Sequence, residues 1–272
     1  ILGCIAAVLF AAAFWRALKM FWRDWMRSED YTHAPLMIPI VGYMVWQARQ
    51  YLAENSGKHA LFSLVPTIAA TAVYLFALLT QVQTFIFFST YLVLISAIVY
   101  LAGAGAIKAL GSPLLLLLLL IPVPQQLYPQ LTSPLQLFVS RISESIVMLL
   151  DVPLFREGNV MHLPYKSFEV VEACSGLRSM VLLFSLSLVM GYFLLRRVRS
   201  KCLLFAASIP TAIFVNVVRI VTMILVFHYS KIDLSDGVLH TATGLAVIML
   251  AILILFLFQK LLRQWEINAT SS

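Results

Sequence analysis

Charge is scarce in this chain. Asp, Glu, Lys and Arg make up 11% of its 272 residues, against 61% hydrophobic. So little polar surface cannot cover a soluble globule, and the apolar residues fall in long blocks, which points to a polytopic membrane protein. Cysteine is rarer still. Cys4, Cys174 and Cys202 stand in separate apolar surroundings with no CxxC or CxxH spacing, which excludes a disulfide framework and gives no zinc or other metal site. No cofactor is implied. There is no internal repeat, low-complexity tract or soluble insertion, so residues 1–272 read as a single integral membrane domain, with no cleavable leader at the apolar start. The net charge of +7 would suit nucleic acid if the cations formed one patch, but they gather between apolar blocks, as in Arg196, Arg197, Arg199 and Lys201. Membrane lipids are the expected partner, with no nucleic acid.

Taking about 20 apolar residues as one crossing, spans are predicted near 1–15, 34–50, 61–80, 84–103, 113–131, 174–195, 202–229 and 237–258. The fold class is all-α, with about eight transmembrane helices. The fifth segment runs into Pro122, Pro124, Pro129 and Pro134, which end or kink a helix, so it either spans or forms a re-entrant turn, and the count is seven or eight. Arg49, Lys58, Lys108, the 196–201 cluster, Lys260 and Arg263 then share the cytoplasmic side with both termini. Arg16, Lys19, Arg23 and Arg27 oppose this threading. They share their loop with Asp24, Glu29 and Asp30, and Trp15, Trp22 and Trp25 mark an interfacial helix.

Over 132–152, apolar positions alternate with Arg141, Ser143 and Glu144, as in an amphipathic helix on the outer surface that could wall a substrate groove. The one β signal follows over 152–171: Glu157-Gly158-Asn159 as a turn, Val160-Met161-His162-Leu163 extended, then Ser167-Phe168-Glu169-Val170-Val171. A short extracytoplasmic β-hairpin there leads straight into Cys174.

Cys174 lies in Glu172-Ala173-Cys174-Ser175-Gly176-Leu177-Arg178-Ser179, at the water-facing start of an apolar run. A thiol at a helix start beside a cation is pushed toward the nucleophilic thiolate, whereas one in hydrocarbon is inert filler, as Cys4 and Cys202 are read. Arg219, in Asn216-Val217-Val218-Arg219, stands about 15 Å inward from the outer end of its span. Intramembrane charge costs at least roughly 2.5–3.5 kcal/mol, so Arg219 faces the bundle and a partner. His240 begins the last span on the same side. Acyl transfer needs a nucleophile, a proton carrier and a donor for the oxyanion, and Cys174, His240 and Arg219 fit those roles in that order. Arg178, one turn from Cys174, either lowers the thiol pKa or binds a substrate carboxylate. With Ser175, Glu172 and Asn216 it makes up the expected substrate-binding set. Glu172 and Glu169 are equally readable as orienting carboxylates or as solvated surface. His33, His59, His162 and His228 read as interfacial.

These segments, in this order, resemble the exosortase family of bacterial inner-membrane proteins: Glu172 through Arg178 match its Glu-Ala-Cys-Ser-Gly-Leu-Arg motif, Asn216 and Arg219 its Asn-x-x-Arg, and His240 its late His. The resemblance extends to Phe155-Arg156-Glu157-Gly158-Asn159 and to Asp30-Tyr31-Thr32-His33. One departure is Ala34-Pro35 after His33, where the family pattern has a Gly and an apolar residue. The resemblance implies a thiol transpeptidase or protease, linked to exopolysaccharide producers. Its substrates would be proteins with PEP-CTERM tails: a Pro-Glu-Pro motif, a transmembrane helix and a basic end. Cleavage would face the periplasm, with water or an amine as acceptor. The rival reading is a transporter or flippase for a lipid-linked saccharide that uses Arg219 and His240 as an intramembrane polar site.

Overall fold

The computed structural model describes residues 2–55, 64–124, 126–164, 166–169, 177–234 and 237–271. By contacts the chain forms two compact units, Ile1–Pro124 and Gln125–Ser272.

The first unit holds α1 (Leu2–Ala13), α2 (Trp15–Arg27), one 3-10 turn (Glu29–Tyr31), α3 (Ala34–Gln47), α4 (Arg49–Asn55), α5 (Leu64–Thr80), α6 (Gln83–Ala102), α7 (Gly105–Ala109) and α8 (Gly111–Leu119). The chain bends by 76° between α1 and α2. At the bend Phe14 turns inward onto Tyr74, edge to face at 4.6 Å, beside the fully buried Ala17 and Ala77. Such small side chains let helix backbones approach closely where no hydrophobic effect drives them together. Buried hydroxyls in α6 are satisfied within the helix: Ser89 and Thr90 both donate to the Ile86 carbonyl, at 2.9 and 2.8 Å.

The predicted fifth crossing over 113–131 is not one helix. α8 stops at Leu119 and the next helix begins at Tyr128. Pro124 has no N–H to give the Leu120 carbonyl four residues back, so the ladder fails there. Side chains take over. The Trp25 indole donates to the Leu120 oxygen at 2.9 Å, and the Tyr31 hydroxyl donates to the Ile121 oxygen at 3.4 Å while accepting the Val123 N–H at 3.1 Å. Burial pushes the Tyr31 phenol above its ordinary pKa, which keeps the proton it donates. The Asp30-Tyr31-Thr32-His33 segment therefore supplies the clamp for a proline-broken chain. Tyr31→Phe leaves two part-buried backbone groups unpaired and is expected to remove about 1 kcal/mol. The thermal midpoint of the purified protein reads this directly; an unchanged midpoint would mean that Tyr31 clamps nothing.

The second unit holds α9 (Tyr128–Leu149), β1 (Phe155–Glu157), β2 (Val160–Leu163), β3 (Lys166–Glu169), α10 (Leu177–Leu194), α11 (Val198–Ser230) and α12 (Gly237–Ser271). α9 is the predicted amphipathic helix, begun four residues earlier because Pro129 falls in its first turn, where no intrahelical N–H is needed. The predicted hairpin is a three-stranded antiparallel meander in the order β1-β2-β3. Gly158, at φ 62°, makes the tight Gly158-Asn159 turn that lets Phe155 through Glu157 pair back on β2. Met161 and Phe168 face each other across β2 and β3 and join Leu163 in a core with Val139 and Val147 of α9 and Val217, Ile220 and Ile224 of α11. A second core, with Leu183 of α10, Leu204 and Val215 of α11 and Ala251 and Leu255 of α12, packs those three helices together.

Among the described residues, three helices are long and apolar enough to cross a membrane: Gln83–Ala102, Val198–Ser230 and Gly237–Ala269. The bent α1 and α2 make a fourth if they form one span. Ala34–Gln47, Leu64–Thr80 and Ser179–Leu194 are apolar but shorter. This is a multi-pass membrane protein. The last helix continues well past the predicted end at 258, because Gln259 through Ala269 are good helix formers with no Gly or Pro among them.

Candidate active site

α11 and α12 run antiparallel, and Arg219 and His240 meet across them. Asn216, one turn before Arg219, is buried, and its neighbours Val217 and Ile220 face the core against the meander. Arg219 is half-buried. Its Nη2 lies 2.9 Å from Nε2 of His240 and 3.5 Å from Nδ1. A guanidinium only donates, so Nε2 accepts in this contact and carries no proton of its own. The Arg219 Nε is buried and has no hydrogen-bond acceptor among the described residues. His240 sits in the first turn of α12, where Gly237 takes a left-handed φ of 65°, and its carbonyl accepts from Thr243 Oγ1 at 2.9 Å.

Gly244 lies one turn beyond His240 on the same helix face. A Cβ there would come 3.8 Å from Arg219 Nη2, an ordinary contact distance. The expected consequence is graded: Gly244→Ala should leave any activity that needs Arg219 close to the parent's, while Gly244→Leu should occupy the guanidinium's place and lower it on the order of 10²-fold. Steady-state kinetics on membranes with matched protein levels measures both. Equal rates for the two variants would show that the guanidinium does not need this face of α12.

The meander is tied to the helices around this pair. Lys166 of β3 forms an ion pair with Asp233, which follows α11, and its ammonium lies 5.1 Å from the Phe168 ring and 5.6 Å from the Phe227 ring. Those two rings pack edge to face at 5.2 Å. On the other flank Arg156 Nε meets Glu144 of α9 at 2.6 Å, and its Nη1 donates to the Gly158 carbonyl at 2.7 Å. Glu144 thus braces the sheet, beyond serving as a polar position on α9. The strand before the 170–176 segment and the loop before α12 are therefore joined at one point.

Of the predicted site residues, Arg219 and His240 meet, and Asn216 is buried one turn before Arg219 on α11. Glu172, Cys174 and Ser175 lie outside the described residues, as does the side chain of Arg178, which belongs to the first turn of α10. Gly244 and the Lys166–Asp233 pair were missed by the sequence reading. A small residue four places after His240 could have pointed to the first; no spacing rule joins residues 67 apart. Among the described residues, no three His, Cys, Asp or Glu side chains group as a metal would require.

Compared with known families, residues 25–257 match the family model described as transmembrane exosortase (Exosortase_EpsH). No curated protein and no solved structure matches the chain.

Proposed function

Since the chain belongs to the transmembrane exosortase family, we propose that it is a cysteine transpeptidase or protease of the bacterial inner membrane that cleaves PEP-CTERM sorting tails on the periplasmic side through a thioester on Cys174. The observation that carries this reading is the 2.9 Å contact between Arg219 and His240, in which the imidazole nitrogen accepts while the buried Nε–H of Arg219 has no acceptor among the described residues. A buried cationic donor held without a partner is costly, and the cost is offset when an anion forms beside it.

The substrate's tail helix docks laterally and its Pro-Glu-Pro motif enters beside Cys174, with Arg178, Ser175, Glu172 and Asn216 holding it. Arg219 Nη2 turns from His240 Nε2 to the substrate carbonyl oxygen, the freed Nε2 takes the thiol proton, and the thiolate attacks the scissile carbonyl carbon. A C–S bond forms and the carbonyl electrons move to oxygen, where Arg219 stabilises the charge. As the C–N bond breaks, His240 returns the proton to the leaving nitrogen, and a thioester remains. An acceptor then attacks the thioester, gives its proton to His240 and releases the thiolate. Water as acceptor yields proteolysis and an amine yields transpeptidation.

The test is capture of the intermediate. Purified protein with a PEP-tailed reporter and neutral hydroxylamine should release a reporter hydroxamate, and Cys174→Ala should release none. A transporter or flippase for a lipid-linked saccharide would form no acyl-enzyme, so absence of hydroxamate from a parent protein that still processes the reporter would reject the thioester.

A further inference from the structure

We infer that a cleft between the α10–α11 turn and the end of α12 opposite His240 binds the phosphate headgroup of an anionic phospholipid. The cleft has a volume of about 340 Å³, and three arginines line it: Arg196, Arg197 and Arg263. Its one carboxylate, Glu266 of α12, is engaged by the backbone of the turn. Glu266 accepts the backbone N–H of Arg196 at 3.1 Å and of Arg197 at 2.8 Å, and the Arg197 guanidinium donates to the Ala269 carbonyl at 3.2 Å. Arg196 and Arg263 are exposed and form no ion pair among the described residues. Two guanidiniums without a carboxylate, at the mouth of one cleft, present the planar forked donors that fit phosphate oxygens.

The depth of the cleft selects a lipid. From Gly237 to Gln259 no Lys, Arg, Asp or Glu occurs over 23 residues, about 34 Å of helix. That is slightly more than the roughly 30 Å of bilayer hydrocarbon. Arg263 and Glu266 therefore stand where hydrocarbon ends, and the exposed Trp265 between them is the aromatic residue favoured at that interface. Exposed Phe193, Leu194 and Ile267 border the same cleft and give acyl chains an apolar surface. With three arginines against one glutamate the cleft carries excess positive charge, which repels the cationic arm of a zwitterionic headgroup and favours an anionic one. Inorganic phosphate has the charge but no chain to lie on the apolar border.

Native mass spectrometry of the full chain, released from nanodiscs of equal phosphatidylglycerol and phosphatidylcholine, tests this. The parent should retain phosphatidylglycerol over phosphatidylcholine by on the order of tenfold. The double variant Arg196→Gln with Arg263→Gln should lose the preference, and the double Lys variant should keep most of it, which separates lost charge from lost fold. Equal retention of both lipids by the parent would overturn the inference, as would a preference that survives in the Gln variant. Release of the bound lipid by millimolar inorganic phosphate would also overturn it, since a phosphate-ion site would then explain the cleft.

Discussion

Cys174→Ala is expected to end processing of a PEP-tailed reporter, with a loss on the order of 10⁴-fold or more relative to the parent, because the proposed covalent route would disappear with its nucleophile. Cys174→Ser should fall with it, since a hydroxyl is a far weaker nucleophile than a thiolate at neutral pH. The measurement is the ratio of cleaved to full-length reporter in membranes that hold equal amounts of each variant. Retained processing by Cys174→Ala would remove the thiol from the mechanism. It would also turn attention to the Arg219 and His240 pair as the whole of the polar site, which is what the transporter reading requires.

Arg219 and His240 should fail as a unit. Each single alanine variant is expected to lower kcat/KM on the order of 10²–10⁴-fold, the range for an oxyanion donor or a general acid–base. With 2.9 Å between their side chains the two losses are coupled, and the double variant should be little worse than the poorer single one. Arg219→Lys adds a geometric test. It keeps the charge, but an ammonium on a flexible stem cannot hold the imidazole and also present a second fixed donor, so most of the loss should remain. Losses that multiply in the double variant would show that the pair acts at separate steps.

Much of this arrangement was legible in the chain. Arg219 could be singled out because a cation inside an apolar block must find a partner, and His240 because it opens the next block on the same side. Their meeting follows from the short connection between two long antiparallel helices. The turn signal at Gly158-Asn159 placed β2, yet β1 escaped notice. Three residues are too short for a period-two pattern, and the strand is fixed by Arg156 reaching Glu144 on α9. The break after Leu119 was half legible: the prolines announced it. Only the fold shows that Trp25 and Tyr31, about 90 residues upstream, make it tolerable. Such long-range hydrogen bonds leave no periodic trace in a sequence. The Lys166–Asp233 pair is of the same kind.

The unbroken helix α12 has a mechanical consequence. Its 35 residues amount to a strut of about 52 Å, longer than the bilayer is thick, and it is fastened to α11 near both ends: by Glu266 at the Arg196-Arg197 turn and by His240 at Arg219. A strut that long adjusts to membrane thickness by changing its tilt. Tied at both ends and sharing one core with α11 along the length between, α12 tilts with its neighbour as one body, so the guanidinium and the imidazole keep their separation as the membrane thins or thickens.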